Sequence, residues 1–122
     1  MASVLMFNIR DRKAEEIRIL SVRMNFACRD IPQAFQSSMI SSLLEGRMEQ
    51  NTAGKSFSDE MLVMDGFTHP DLNFLLNELI RTENRIALKA VVTPVNRNWT
   101  AAMLHAQLFA ENREMQSRGV SR

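Results

Sequence analysis

The chain has 122 residues, which is enough for one domain and too few for two. Its net charge is +1, with 45% hydrophobic and 24% charged residues, so charge gives no reason to expect nucleic acid or a membrane surface as a partner. Cys28 is the single cysteine, which excludes an intramolecular disulfide. We therefore expect a soluble protein of the reducing cytoplasm, and no segment reaches the length of a transmembrane helix.

The first half of the sequence predicts two strand–helix pairs. Asp11 and Asp30 are expected to cap the two helices at their N-termini, and Gly46 lies where a C-terminal cap belongs. In chain order, we predict a strand at Ser3–Asn8, a helix at 11–25, a weak strand at 26–29 and a helix at 30–46.

The second half repeats this alternation. Thr68 and Asp71 have the spacing of a capping box, with Pro70 in the first turn. In chain order, we predict a polar flexible loop at 47–58, a strand at 59–64, a helix at 68–82, a strand at 86–92, a helix at 99–117 and a frayed tail at 117–122. Residues 1–122 thus form one domain.

Strands that are apolar throughout are typical of a sheet buried on both faces. We therefore predict a three-layer α/β fold, in which alternating helices cover a four-stranded, mainly parallel sheet. Right-handed crossovers favour the strand order 2-1-3-4, which is half of a flavodoxin-like sheet. No internal repeat is apparent in the sequence.

The sequence argues against two kinds of phosphate chemistry: nucleotide binding by a phosphate-binding loop, and phosphorylation of an aspartate as in a receiver domain. Glu49–Ser56 ends like a phosphate-binding loop, but Glu49 stands where that motif needs glycine, and a strand follows instead of a helix. Asp65 and Thr93 lie at strand ends, as in the receiver domains of two-component signalling. Asn8 and Ile9, however, stand where a receiver needs acidic magnesium ligands, so phosphoacceptor chemistry is not expected.

A parallel sheet would bring Asn8, Asp65, Thr93 and Asn96 to one carboxyl edge, where ligands usually bind. The amino end of the last helix, beside Trp99, would add an attraction for anions.

Several residues of this region also have a purely structural interpretation. Lys89, a further candidate for an anionic ligand or for a partner's carboxylate, is explained more simply as a charge that protects an edge strand from pairing. Asn98 suits an N-cap, and Trp99 suits an apolar anchor of the last helix on the sheet. Asp65 is also a common turn former before Gly66.

The sequence predicts neither a metal site nor a cofactor. His69 and His105 fall on different elements without a third ligand, and His105 is expected to be packed or at an interface rather than catalytic. Cys28 has no neighbouring base in the sequence, so we expect an inert thiol rather than a nucleophile.

The last helix has more apolar surface than one sheet face needs. Trp99, Met103, Ala106 and Phe109 form one stripe, which we predict to face the sheet. Leu104, Leu108 and Met115 form a second stripe, which we predict to face a second copy of the chain. The first functional hypothesis is therefore a non-enzymatic interaction or regulatory module that acts as a homodimer, and the alternative is a binding domain for a small anionic ligand.

One resemblance emerges from the second half. Phe57–Thr68 contains a strand that ends in Gly-Phe, and Ile86–Trp99 contains a Leu-Lys-Ala-Val-x-Thr-Pro-x-Asn-x-x-Trp pattern. Together they resemble a small bacterial family known as a domain of unknown function. The resemblance implies no activity, cofactor or catalytic residue. The matching positions are Leu88, Lys89, Ala90, Val91, Thr93, Pro94, Asn96 and Trp99.

Overall fold

The computed structural model describes residues 1–48 and 55–117, with side chains described as far as residue 115. The middle of the predicted loop, 49–54, and most of the predicted tail, 118–122, lie outside the described residues. The strands are β1 Ser3–Phe7, β2 Ala27–Ile31, β3 Met61–Asp65 and β4 Leu88–Val91, and the helices are α1 Asp11–Met24, α2 Ile40–Leu44, α3 His69–Arg81 and α4 Ala101–Ser117. Two 3-10 turns, Gln33–Phe35 and Asn96–Asn98, precede α2 and α4.

The four strands form one sheet in the order β2-β1-β3-β4, which confirms the predicted α/β fold and strand order. β1 pairs with β2 in parallel, and β3 pairs with β4 in parallel. The two central strands, β1 and β3, are antiparallel, and Leu5 lies opposite Val63. The sheet is therefore mainly parallel, as predicted, but it consists of two parallel pairs that run in opposite directions.

This central pair overturns the prediction of a single carboxyl edge. Phe7, at the end of β1, lies opposite Met61, at the start of β3, and Ser3 lies opposite Asp65. Strands that are buried on both faces carry no period-two signal, so their sequences do not specify the direction in which they pair. Residues 45–60 between α2 and β3 are long enough to enter the sheet from either end.

Each face of the sheet supports its own core. On one face, α1 and α3 bury Ile17 and Leu75 against Val4 and Met64. On the other face, α2 and α4 bury Leu43 and Leu104 against Leu5 and Val63. The three layers thus arise because both faces of the sheet are apolar and each requires a cover of helices.

The predicted helix at 30–46 is the largest local error. Asp30 belongs to β2, Pro32 follows the strand, and only Ile40–Leu44 is α-helical. Met39 is extended and forms an isolated antiparallel bridge with Thr100, which prevents a continuous helix. A tertiary contact far away in sequence therefore overrides the local capping pattern.

Some of the predicted helix caps occur in the structure and others do not. The Thr68 hydroxyl accepts a hydrogen bond from the Asp71 amide at 3.3 Å, as predicted. Gly46 follows α2 with a positive φ of 80°, as expected of a C-terminal cap.

Two other predicted caps are wrong. Asp11 is the first residue of α1, and Arg10 occupies the N-cap without a side-chain hydrogen bond. The predicted cap Asn98 lies in a 3-10 turn, and the Thr100 hydroxyl accepts from the Met103 amide at 3.1 Å instead.

Glu83 follows α3 with a φ of 61°, a left-handed conformation that penalises most side chains. Because Glu83 is exposed, Glu83→Gly should raise the free energy of unfolding by about 1 kcal/mol. Asn25 occupies the same place after α1 with a φ of 60°, and asparagine tolerates that conformation, so Asn25→Gly should change stability less. Urea denaturation of both variants checks this, and a less stable Glu83→Gly protein would contradict it.

Candidate functional site

The structure separates the residues that were predicted to line one ligand site. Asp65 lies at one end of the sheet opposite Ser3, whereas Asn8 follows β1 at the other end. The Asn8 amide nitrogen donates to the backbone oxygens of Phe57 at 2.8 Å and Asp59 at 3.0 Å. Asn8 therefore holds a neighbouring segment of the chain, and it does not share an edge with Asp65.

Thr93 and Asn96 do meet, but they satisfy each other. The Asn96 side-chain oxygen accepts from the Thr93 amide at 2.8 Å, and the Thr93 hydroxyl accepts from the Asn96 amide at 3.0 Å. The Asn96 side-chain nitrogen donates to the Val91 carbonyl at 3.1 Å, and the residue is buried. These contacts fix the turn after β4, so neither polar group of the buried Asn96 side chain points to a ligand.

The start of α4 has no free amide for an anion. Ala101 donates to the Ser38 carbonyl at 3.0 Å, and Ala102 donates to the Gln36 carbonyl at 2.8 Å. The Met103 amide is capped by Thr100, and Leu104 donates to the Thr100 carbonyl at 3.1 Å. The helix N-terminus is thus satisfied by the chain itself, which removes the basis of the predicted anion site.

Trp99 has the anchoring position that its structural interpretation predicted. It is partly buried and packs against the core beneath α2 and α4, and its carbonyl accepts from the Ile40 amide at 2.9 Å. Trp99 is extended rather than helical, so it anchors the entry into α4 and not the helix itself.

Lys89 lies on β4, which is an edge strand as predicted. Its ammonium donates to the Ile86 carbonyl at 2.6 Å. Burial lowers the pKa of Lys89, and the nearby positive charge of Arg85 lowers it further. A lysine that folds back onto its own backbone fits the protection of an edge strand better than the capture of an anion.

A segment that sequence analysis missed organises the Asn8 end of the sheet. We call residues 55–60, which lead into β3, the Phe57 strap. The buried Gln36 accepts from the Phe57 amide at 2.7 Å and donates to the Asn8 side-chain oxygen at 3.2 Å. Lys13 pairs with Glu60 at 2.7 Å. Contacts over such sequence distances leave no local pattern, so no sequence signal could have indicated the strap.

His105 joins the Phe57 strap to α4. Its ring stacks on Phe57 with centroids 4.2 Å apart, and its Nε2 is 2.8 Å from an Asp59 carboxylate oxygen. Phe109 lies on the other side, with ring centroids 5.8 Å apart. This geometry shows that His105 is packed, and its contacts with Phe57 and Asp59 link α4 to the strap.

A cleft of about 390 Å³ opens beside the strap. It has a carboxylate rim and an apolar wall, but within the described residues no group of three histidine, cysteine or acidic side chains is placed to hold a metal ion. The cleft is lined by Ser58, Asp59, Glu60, Ala87, Leu88, Phe109 and Asn112.

The two predicted stripes of α4 are reversed in the structure. Leu104 is only 2% exposed, and Leu108 packs partly buried against the same core. Leu104 therefore has no exposed face for a second copy, whereas Met103 is 54% exposed and Phe109 is 41% exposed. Both stripes are apolar, so periodicity alone could not say which one faces the sheet. Met115 is 40% exposed, and its contact with a second copy stays a prediction.

The Gln36 bridge gives a direct test of the Phe57 strap. Gln36→Leu would leave the Phe57 amide without its acceptor, and a buried unsatisfied amide costs about 1–3 kcal/mol of stability. The exposed Gln33 provides the control, because Gln33→Leu should change stability by less than about 0.5 kcal/mol. Equal urea midpoints for the two variants would show that the bridge does not hold the strap.

The orientation of α4 is tested by truncating its leucines. Leu104→Ala removes a fully buried side chain and should lower the free energy of unfolding by about 2–5 kcal/mol. Leu108→Ala should cost less, because Leu108 is only partly buried. Wild-type stability of the Leu104→Ala protein in thermal or urea denaturation would mean that Leu104 faces outward.

In comparisons with known proteins, the family match covers the second half of the chain. Residues 60–115 match the family described as "Domain of unknown function (DUF3783)". The matched segment begins one residue before β3 and ends within the last turn of α4. No curated protein and no solved structure gives a significant match. Within the described residues, no helix is both long and apolar enough to cross a membrane.

Proposed function

We propose that this protein is a non-enzymatic interaction module that associates with a second copy of itself through the outer face of α4. The exposed stripe of Met103, Ala106, Phe109 and Ala110, which we call the outer stripe, carries the proposal. We also propose that the protein works in the cytoplasm of a bacterium, which the single thiol of Cys28 and the resemblance of the second half support.

The outer stripe differs in charge from the surface of α1. The first ten residues of α4, AAMLHAQLFA, contain no aspartate, glutamate, lysine or arginine. By contrast, α1 carries seven such residues in DRKAEEIRILSVRM. Depletion of charge, together with exposed methionine and phenylalanine, is characteristic of the centre of a protein interface.

A two-fold contact explains this depletion. Residues near the axis of a symmetric dimer face their own counterparts, so any charge there would meet a like charge. An uncharged stripe avoids that repulsion. Ala106 and Ala110 are small, which allows two helices to approach closely, and Met103 and Phe109 on their flanks supply the apolar contact.

The predicted ligand sites give little support to the alternative function, the binding of a small anion. The turn after β4 and the start of α4 satisfy their own polar groups, and Asn8 and Asp65 lie at opposite ends of the sheet. The outer stripe therefore remains the surface with the strongest physical reason for a partner.

The test replaces the centre of the outer stripe with charge. Met103→Glu combined with Ala106→Glu places glutamates of both copies near the two-fold axis, where unpaired buried charge costs several kcal/mol and lowers the association constant at least about a hundredfold. Sedimentation velocity should show wild-type protein at twice the 14.0 kDa of the chain and the double variant at 14.0 kDa. Circular dichroism should show the same helix content in both, because the substituted side chains are exposed.

A matched control lies on the opposite layer. Val22 on α1 is 83% exposed, so Val22→Glu introduces the same charge at an apolar surface position away from α4. This variant should associate like wild type. A wild-type protein that stays at 14.0 kDa at high concentration would rule out the proposed dimer, and so would a double variant that still associates.

A further inference from the structure

The two halves of the chain repeat several backbone events, and the spacing is constant through the first strand and helix of each half. β1 and β3 begin at Ser3 and Met61, and α1 and α3 begin at Asp11 and His69, each pair 58 positions apart. Directly after the two strands, Asn8 and Gly66, also 58 apart, have positive φ values of 59° and 77°. A left-handed residue at the same point of both strand–helix connections is a local detail that the α/β fold does not require.

The ends of α1 and α3 repeat in the same way. Asn25 and Glu83, again 58 apart, have φ values of 60° and 61°. The next amide in each half bonds back to the helix: Phe26 donates to the Ser21 carbonyl at 3.0 Å, and Asn84 donates to the Leu79 carbonyl at 2.8 Å. This donor and this acceptor keep the 58-residue spacing, whereas the amides of Asn25 and Glu83 bond to the Ser21 and Ile80 carbonyls, which are 59 apart.

Beyond this point the spacing changes to 61, since the second half has three additional residues before its outer strand. β2 begins at Ala27 and β4 at Leu88. The 3-10 turns begin at Gln33 and Asn96, 63 apart, and the spacing of 61 returns in the short bridge before α2 and α4. Ile40 donates to the Trp99 carbonyl at 2.9 Å, and Ala101 donates to the Ser38 carbonyl at 3.0 Å.

That bond pair is reciprocal. Ile40 and Ala101 are equivalent residues, and so are Ser38 and Trp99, and each donor bonds to the equivalent of the other's acceptor. Reciprocal bonds of this kind arise at a two-fold axis. The antiparallel centre of the sheet has the same symmetry, because Leu5 and Val63 are also 58 apart and lie opposite each other.

We propose that residues 1–48 and residues 55–117 are two copies of one β-α-β-turn-helix unit, and that the surface between them is a self-association surface. The partner that fits the second unit is another copy of that unit, and in this chain the first unit occupies its place. The family match supports this division, because it covers residues 60–115 and hence the second unit alone.

The side chains at the axis are compatible with such an exchange. In the chain, Val4 lies opposite Met64 and Met6 lies opposite Leu62. If a second β3 replaced β1 in the same register, Leu62 would lie opposite Met64 at both places, and Val63 would face its own copy. The central pair would remain apolar, and β-branched and unbranched aliphatic residues pack well across such a pair.

The experiment exchanges one unit within a full-length chain. Residues 1–54 are replaced by a second copy of residues 55–122, and both copies carry Met103→Glu and Ala106→Glu, so that the proposed α4 association does not contribute. This tandem chain should sediment as a monomer. Because its two copies are equivalent across the axis, its amide spectrum should be well dispersed and show one resonance for each residue of the repeated segment that lies away from the chain ends and the junction.

Val63→Asp in both copies provides the control, since it places two carboxylates opposite each other at the axis and should abolish the dispersed spectrum. The reciprocal tandem, with residues 55–122 replaced by a second copy of residues 1–54, guards against a trivial loss of folding in the first. A single dispersed set from either tandem supports the proposal. Loss of amide dispersion in both tandem chains would overturn it. Two different sets of amide resonances from a folded tandem chain would also overturn it. Both outcomes are independent of whether the outer stripe of α4 mediates a dimer.

Discussion

The antiparallel contact between β1 and β3 is the constraint on which the rest of the structure depends. It sets two parallel strand pairs back to back, so each pair brings one long helix to one face and a turn-plus-helix segment to the other. It also sends the carboxyl ends of the two pairs in opposite directions. A ligand edge of the kind found in doubly wound parallel sheets therefore cannot assemble from both halves of this chain.

The same contact determines which surfaces are left for function. α2 and α4 must share one face of the sheet, and their entries are joined by the bridge between Met39 and Thr100. This bridge uses the first amides of α4 and directs Leu104 into the core. The Phe57 strap then closes the Asn8 end through Gln36. The outer stripe is the apolar surface of α4 that no other described element covers. For this reason we propose that the helix binds a protein partner rather than a ligand.

Much of this architecture was predictable from sequence, because it follows from composition and period. Apolar runs indicated β1, β3 and β4, a weaker pattern indicated β2, and the Thr68–Asp71 spacing indicated the start of α3. Three properties were not predictable for physical reasons. Strands buried on both faces do not encode their direction, two apolar stripes on α4 do not encode which one is covered, and the break at Met39 results from a partner 61 positions away.

The repeat was also hidden, because its halves keep geometry rather than identity. Met6 and Met64, Arg23 and Arg81, and Leu43 and Leu104 are equivalent positions with the same residue. Most other equivalent positions differ in type, such as Asn8 and Gly66, which share only a left-handed backbone. Backbone conformation and reciprocal hydrogen bonds reveal what residue identity does not.

Cross-strand nuclear Overhauser effects between β1 and β3 test this account most directly, since every later step depends on their direction. The antiparallel register predicts contacts between Val4 and Met64 and between Met6 and Leu62 in the wild-type protein. Contacts that instead pair Val4 with Leu62 and Met6 with Met64 would indicate a parallel centre. They would return Asn8 and Asp65 to one edge and contradict both the two-fold arrangement and the surfaces derived from it.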